Sequence, residues 1–341
     1  MVRFLKLARE RKATSADADN LLAMNGTKLV IQQQNISRRV DMQQYQELLH
    51  AMVEGRAPTV SPVNDDARSG NGVKGLLQDV WPSLVWGMKH TDVLALRLAE
   101  VRKMDISRRA KAIALANLPE TVEFTPRLNL VMGGRAGAAT LPGEILFDVL
   151  IKSFRADNGS GTYPKPEEIV EFFAHEMHHI GLGEILDSRR KLLRLDESQA
   201  HGFLLLSALV SEGSATFLIN AHGTLDVMRK DPQYGRAFQQ QPELLRTIQH
   251  ILSEAMSGEL NAATYDEQVA AFLGSGYHVT GAVLLNTIVR GSGKKALWAV
   301  MRDPRQLLLQ YNRAAEKIGS KRESDWSFDP ALAKVIAAMG Q

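Results

Sequence analysis

Apolar residues recur at helical spacing along most of this 341-residue chain. In the segment 41–54 they form one stripe that ends at Gly55, and the segments 92–104 and 107–118 continue the same trend. The pattern therefore predicts that residues 1–120 form a helical N-terminal region, and this region carries no chemical motif.

The pattern changes at Thr121. An apolar run up to Val131 precedes the glycine-rich stretch 133–137, which is typical of a strand that enters a tight turn, and 144–151 is a second strand candidate. We expect the glycines to shape a hairpin, because the Lys-Ser/Thr ending of a phosphate-binding loop is missing. The sequence thus predicts a small β-sheet before the next helix.

That helix is predicted over 166–186 and contains the run His175-Glu176-Met177-His178-His179. Each residue of a helix advances by about 100°, so His175 and His179 lie one turn apart and can point at one ion. Glu176 lies beside the pair, where it can reach a water on the metal without binding the metal. This is the HExxH pattern of zinc-dependent hydrolases.

The chemistry explains the spacing. A catalytic zinc takes about three protein ligands and leaves a position for water, whose pKa falls to roughly 7. Neutral imidazoles suit the ion, and a carboxylate beside the water can accept its proton. The alternative is a surface helix with clustered histidines. His178 is expected to pack or to support the site rather than to bind the metal.

The third ligand must come from another segment. A metzincin has a glycine three residues and a histidine six residues after the second motif histidine; here Leu182 and Ile185 occupy those positions, so that class is excluded. Glu184 ranks second as a ligand because it follows Gly181 and Gly183, which weaken a helix.

Glu212 is the stronger candidate for the third ligand. It lies in the segment 199–220, whose mostly apolar residues predict a largely buried helix that ends near Gly223. A buried carboxylate is costly unless it is charge-paired or metal-bound. Gly213 and Ala215 beside it would let another helix approach closely. The alternative places Glu212 on the polar side of an amphipathic helix.

Taken together, His175, Glu176 and His179 with Glu212 on a later helix resemble the gluzincin metallopeptidases, the group that includes thermolysin. The sequence departs from that enzyme in two respects. Thermolysin-like enzymes carry Asp four residues after the ligand glutamate, whereas this chain has Thr216, and the gap before the third ligand is longer. The hydrogen-bond partners of the zinc histidines are therefore unassigned.

The order of segments is similar to that of poorly characterised bacterial families of zinc-dependent peptidases. Their pattern includes a Glu-Gly pair on the ligand helix and a Gly-Tyr-x-x-Gly helix start, here 276–281, and the resemblance covers residues 121–315. It implies that Tyr277 donates a hydrogen bond to the oxyanion of the reaction, with His278 as the runner-up. The alternative is a tyrosine that caps the helix 282–289.

The sequence therefore predicts a predominantly helical α+β protein in which residues 121–341 form a zincin-like catalytic domain. Its predicted activity is that of a zinc-dependent metallopeptidase with one Zn²⁺, acting on peptides or proteins. The resemblance, together with the physics of strand addition, implies that the strand near 128–132 binds extended peptide by edge pairing. The predicted site consists of the metal ligands His175, His179 and Glu212, the general base and later proton donor Glu176, and Tyr277.

The amino-acid composition limits the classes of protein and of metal site that the chain can form. Apolar residues make up 45% of the chain and charged residues 23%, the formal net charge is only +3, and cysteine is absent. These values fit a globular protein, give nucleic-acid binding little support and exclude disulfides and thiolate zinc sites. No run reaches membrane-spanning length in this reading, and Met1–Lys12 lacks the apolar core of a secretory signal, so we expect a cytoplasmic enzyme. A secreted chain trimmed of its signal would look the same.

Two other functions stay open at this point. One is a non-catalytic helical interaction or regulatory protein whose histidines are structural or bind metal without catalysis. The other is a zinc hydrolase that acts on a non-peptide amide. The sequence does not indicate an oligomeric state.

Overall fold

The computed structural model describes residues 1–38, 42–59, 80–133, 138–157, 163–220, 225–230, 232–272, 275–319 and 326–341. Within these ranges the chain forms eighteen α-helices and one three-stranded sheet, which confirms the prediction of a predominantly helical α+β protein. The helices are α1 Val2–Arg9, α2 Ser15–Ala23, α3 Asn25–Arg38, α4 Met42–Glu54, α5 Trp81–Lys89, α6 Thr91–Lys103, α7 Ile106–Ala116, α8 Val149–Asp157, α9 Pro166–Lys191, α10 Glu197–Leu218, α11 Leu225–Lys230, α12 Pro232–Gln239, α13 Gln241–Ser257, α14 Ala262–Val269, α15 Gly276–Ser292, α16 Lys294–Arg302, α17 Leu307–Ile318 and α18 Pro330–Ala338. The strands are β1 Arg127–Val131, β2 Ala138–Leu141 and β3 Glu144–Asp148.

The chain divides into two compact units. The first comprises Met1–Arg109 and Thr125–Phe173, and the second comprises Ala110–Phe124 and Ala174–Gln341. Helix α9 therefore contributes residues to both units. The predicted division at residue 120 followed the change of pattern along the chain, and it stays a prediction.

The first unit contains the sheet, whose strand order is β1-β3-β2. β1 pairs in parallel with β3, and β2 pairs antiparallel with β3 across the turn at Gly143, whose φ of +71° suits glycine. The central strand is largely buried. Its Phe147 is fully buried and packs against Phe173, with ring centroids 5.5 Å apart.

This sheet corrects the sequence prediction in three respects. A third strand, β2, is present, and the second predicted strand ends at Asp148 instead of continuing to Ile151. The helix α8 begins there because the Asp148 carboxylate accepts a hydrogen bond from the backbone N–H of Ile151. The hairpin joins β2 to β3, so the expectation of a hairpin at the glycines of 133–137 was wrong; residues 134–137 lie outside the described ranges.

Helix α9 runs through the HExxH motif without a break. Gly181 and Gly183 do not interrupt it. A Cβ on Gly181 would lie 2.5 Å from a methyl carbon of Leu118 and 2.9 Å from the ring of Phe124, so glycine is needed for packing at that position. Burial of this helix face outweighs the low helix propensity of glycine.

The second unit is built around α15. Its residues 279–285 are all buried, as expected for a helix that is apolar on every side and packs in a core. Helix α10 crosses it on one side and α17 on another. By length and composition alone α10 is long and apolar enough to cross a membrane, but 56% of its apolar window is buried inside the protein, and a core helix meets the same test.

A buried ion pair joins Asp303 and Arg305 in the second unit. The Arg305 side chain is 1% exposed, and its guanidinium donates hydrogen bonds of 2.8 Å to both carboxylate oxygens of Asp303 and a further one to the backbone oxygen of Met339. Arg189 at the end of α9 donates a 2.6 Å hydrogen bond to the same Asp303 carboxylate. The C-terminal turn of α9 is thereby tied to the segment before α17.

Candidate metal centre

Helix α9 presents His175 and His179 on one face, one turn apart. Their ring centroids are 4.7 Å apart, and the rings are nearly perpendicular. Both side chains are largely buried, with 10% and 15% of their side-chain surface exposed. The helical spacing predicted from the sequence therefore produces a convergent pair of imidazoles.

Helix α10 places Glu212 beside this pair. Glu212 Oε2 lies 3.4 Å from His179 Nε2 and 4.0 Å from His175 Nε2. One ligand atom from each of the three residues lies within 4.8 Å of the other two, so the group could hold a metal ion. The structure thus brings a carboxylate from a segment more than thirty residues away along the chain next to the two histidines.

The close approach of α10 and α15 depends on two glycines. A Cβ on Gly213 would lie 2.3 Å from the carbonyl carbon of Gly281, and a Cβ on Gly281 would lie 2.1 Å from the backbone oxygen of Leu209. The predicted close approach of a second helix at Gly213 is confirmed. Because Glu212 precedes this crossing directly, the crossing brings the N-terminal turn of α15 up to the carboxylate.

That turn carries His278. Its Nε2 lies 3.1 Å from Glu212 Oε2, and its ring stacks with that of His175 at a centroid distance of 6.0 Å. Sequence reasoning ranked His278 second to Tyr277 as a functional residue of this segment. The structure places the His278 imidazole in direct contact with the candidate metal ligand.

Tyr277 has a different environment. Its ring stacks on Phe272 at 5.1 Å. Burial, the neighbouring Tyr265 hydroxyl and the negative charge of Glu212 all raise the pKa of Tyr277, so its hydroxyl is neutral. The predicted oxyanion role of Tyr277 stays a prediction.

The charges of the cluster are strongly coupled. Burial raises the pKa of Glu212, but His179, His278 and His175 outweigh it and lower this pKa to about 2. Burial lowers the pKa of His175 to about 3. Burial also lowers the pKa of His179, but the Glu212 carboxylate outweighs it and the net shift is upward. The cluster therefore holds an ionised carboxylate against imidazoles of unequal basicity.

Glu176 is half-buried on the same helix. Its negative charge contributes to the raised pKa of His179, which places the carboxylate within electrostatic reach of the cluster. It is absent from the group of three metal-ligand candidates.

Two neutral side chains bind the outer nitrogens of the paired imidazoles. His175 Nδ1 lies 3.1 Å from Asn220 Oδ1, and His179 Nδ1 lies 2.8 Å from Ser211 Oγ. The sequence reasoning missed both residues. Thr216, which occupies the position of the thermolysin-type aspartate, is buried and its hydroxyl makes no hydrogen bond within the described residues.

The remaining candidates lie outside the cluster. Glu184 is exposed on α9 and is not part of the ligand group. His178 is fully buried, and its Nε2 bonds Ser214 Oγ at 2.8 Å. The expectation that His178 packs or supports the site is consistent with this position.

Comparison with known protein families gives one match. The model of a family described as "Putative zinc dependent peptidase (DUF5700)" matches residues 18–320. No curated protein and no solved structure matches the chain.

Proposed function

Because the chain belongs to the family described as "Putative zinc dependent peptidase (DUF5700)", we propose that it is a zinc metallopeptidase of the gluzincin type whose metal ligands are His175, His179 and Glu212. The observation that carries the proposal is the convergence of these three side chains, with ligand atoms within 4.8 Å of one another. The family description names zinc, and the cluster is a group that could hold a metal ion.

The donor set suits zinc. Two imidazole nitrogens and one carboxylate oxygen are the ligands of many catalytic zinc sites, which use three protein ligands and keep a fourth position open. Each imidazole has its Nδ1 bonded to another side chain, so each turns Nε2 towards Glu212. The ionised state of Glu212, whose pKa is lowered to about 2, supplies the negative charge that a divalent cation requires.

Zinc bound there would polarise the substrate carbonyl and lower the pKa of a water molecule to roughly 7. Glu176 accepts the proton of the attacking water and later delivers it to the leaving amine. Its half-buried position beside His179 fits this role, since a general base must lie close to the water without occupying a ligand position.

For the oxyanion we propose His278 in preference to Tyr277. The His278 imidazole lies at the candidate metal centre, with Nε2 3.1 Å from Glu212 Oε2, and zinc bound to this carboxylate would weaken its hold on the Nε2–H, which could then turn to the oxyanion. The Tyr277 ring instead stacks on Phe272. A donor aimed at a developing negative charge contributes about 3–4 kcal/mol to transition-state stabilisation. The substrate class that we propose from the family description is a peptide or protein. Among the described residues, β1 lies at an edge of the sheet of the first unit, where extended peptide can pair by strand addition.

The decisive experiment compares Glu176→Gln with Glu184→Gln. Glu184 lies on the same helix but is exposed, so its variant is the matched control. We expect both variants to retain about one equivalent of zinc by elemental analysis of untagged protein, while Glu176→Gln loses hydrolysis of a fluorogenic peptide library by about 10²–10⁴-fold.

Cleavage by Glu176→Gln at the wild-type rate would overturn the assignment of the base. Absence of zinc from the wild type, even after zinc addition, would instead favour a non-catalytic helical protein. A zinc-loaded protein that cleaves no peptide in the library would favour hydrolysis of a non-peptide amide.

A further inference from the structure

The Nδ1 atoms of His175 and His179 each lie within hydrogen-bond distance of a neutral side chain outside the candidate ligand set. Asn220 Oδ1 lies 3.1 Å from His175 Nδ1, just beyond the C-terminal end of α10. Ser211 Oγ lies 2.8 Å from His179 Nδ1, directly before Glu212 on the same helix. Helix α10 and its C-terminal extension therefore supply one candidate metal ligand and the outer partners of both others.

These bonds decide which nitrogen each imidazole can offer. A neutral imidazole carries its proton on one nitrogen and a lone pair on the other. An amide oxygen accepts hydrogen bonds and cannot donate them, so Asn220 Oδ1 selects the form of His175 with the proton on Nδ1. The lone pair of Nε2 then points towards Glu212, 4.0 Å away.

The same argument applies to His179. The Ser211 hydroxyl can accept the Nδ1 proton at 2.8 Å, which turns Nε2 towards Glu212 Oε2 at 3.4 Å. A metal ion that binds there displaces the proton that Nε2 shares with the carboxylate. Both rings would thereby present Nε2 to a single point before any ion arrives. Outer partners of this kind orient metal-binding histidines, and their loss typically weakens metal binding by about 10- to 100-fold.

We propose that Ser211 and Asn220 are positioning residues, which hold His179 and His175 in the Nδ1-protonated form and so set the affinity of the site for zinc. This inference rests on the proposed zinc site, but it concerns side chains outside the ligand set. The proposed site has an amide and a hydroxyl where thermolysin-like enzymes carry a carboxylate, and the Thr216 hydroxyl at that position has no hydrogen-bond partner among the described residues.

The chain contains a matched control for this idea. His178 on α9 bonds Ser214 on α10 through Nε2, also at 2.8 Å, so the helices and the chemical groups are the same as in the Ser211 pair. Ser214 in turn donates a hydrogen bond to the backbone oxygen of Ser211. His178 is not part of the metal-ligand group. Loss of the Ser214 hydroxyl therefore perturbs packing between the two helices without changing the orientation of a ligand.

The experiment measures zinc dissociation constants by competition with a chelator for full-length wild type, Ser211→Ala, Asn220→Ala and Ser214→Ala. We expect the first two variants to bind zinc about 10- to 100-fold more weakly and Ser214→Ala to stay within about twofold of wild type. Ser211→Thr and Asn220→Asp keep an acceptor oxygen and should restore binding. Circular dichroism establishes that each variant is folded.

A second readout reports the proton position directly. The ¹⁵N chemical shifts of the histidine rings in metal-free protein should show Nδ1–H for His175 and His179 in the wild type, and a mixture of forms once Ser211 or Asn220 is replaced by alanine. Zinc affinities unchanged in both alanine variants, or lowered equally in Ser214→Ala, would overturn the inference. A wild type that binds no zinc would refute the proposed function itself, and the ring shifts would still test the role of the two side chains.

Discussion

The glycine contact between α10 and α15 gives the sharpest test of how the site is assembled. In Gly281→Ala, the new methyl group would lie 2.1 Å from the backbone oxygen of Leu209 and 2.7 Å from the Cα of Gly213. Both are backbone atoms, so no side-chain rotation relieves the clash. Restoring ordinary contact requires the two helices to separate by about 1 Å in an interior packed at crystal-like density.

We expect Gly281→Ala to lower the free energy of unfolding by about 3 kcal/mol or more, the upper range of overpacking costs. In a domain of this size that corresponds to a fall in Tm of about 6–12 °C. Because Gly213 directly follows the candidate ligand Glu212, the same separation shifts this carboxylate relative to His175 and His179, and zinc binding should weaken as well. Urea unfolding followed by circular dichroism measures the first effect and chelator competition measures the second.

The matched control is Gly183→Ala on α9. Among the described residues, nothing outside the adjoining part of its own helix lies within 4 Å of the added Cβ, so alanine should stabilise the protein by about 0.5–1 kcal/mol. A Gly281→Ala protein as stable as the wild type would show that the two helices do not pack as closely as described. A Gly183→Ala protein as unstable as Gly281→Ala would show that the loss is not specific to the crossing.

Two further variants test the site and its framework. His278→Gln should lower kcat by about 10²–10³-fold with little change in zinc affinity if the imidazole donates to the oxyanion; a loss of zinc affinity would make it a ligand instead. Asp303→Asn should lower the free energy of unfolding, measured with urea, by about 3–5 kcal/mol, because it leaves the charge of the buried Arg305 guanidinium uncompensated. An unchanged urea midpoint would contradict this. Burial raises the pKa of Asp303, but Arg305 and Arg189 outweigh it and the net shift is downward. Its stabilising effect should therefore be complete above about pH 4 and decline as the pH falls through the lowered pKa, so wild type and Asp303→Asn should converge in stability in strong acid.

Local patterns predicted much of the helical framework. The stripe in the segment 41–54 corresponds to α4, and the two segments around residues 92–118 correspond to α6 and α7. The HExxH spacing follows from helix geometry, since residues four apart share a face whatever the tertiary structure. These predictions succeeded because they depend on neighbours along the chain.

Predictions that depended on distant neighbours were less accurate. The parallel pairing of β1 with β3 and the extra strand β2 are matters of long-range register, which apolar runs do not encode. Gly181 lowers helix propensity, yet it lies against Leu118 and Phe124, and this packing keeps α9 intact. Tertiary contacts overrode the local signal in both cases.

The candidate metal site contains one residue that the sequence indicates and two that only the tertiary structure identifies. Glu212 could be proposed from sequence because a carboxylate in an apolar helix requires a partner, which is a property of the residue and its surroundings in the chain. Ser211 and Asn220 carry no such signal, because a serine in a helix and an asparagine after its end can form hydrogen bonds with many different groups, including the nearby backbone. Only the packing of α9 against α10 brings an imidazole within hydrogen-bond distance of these two side chains. Their contribution to metal binding therefore has to be inferred from the three-dimensional structure.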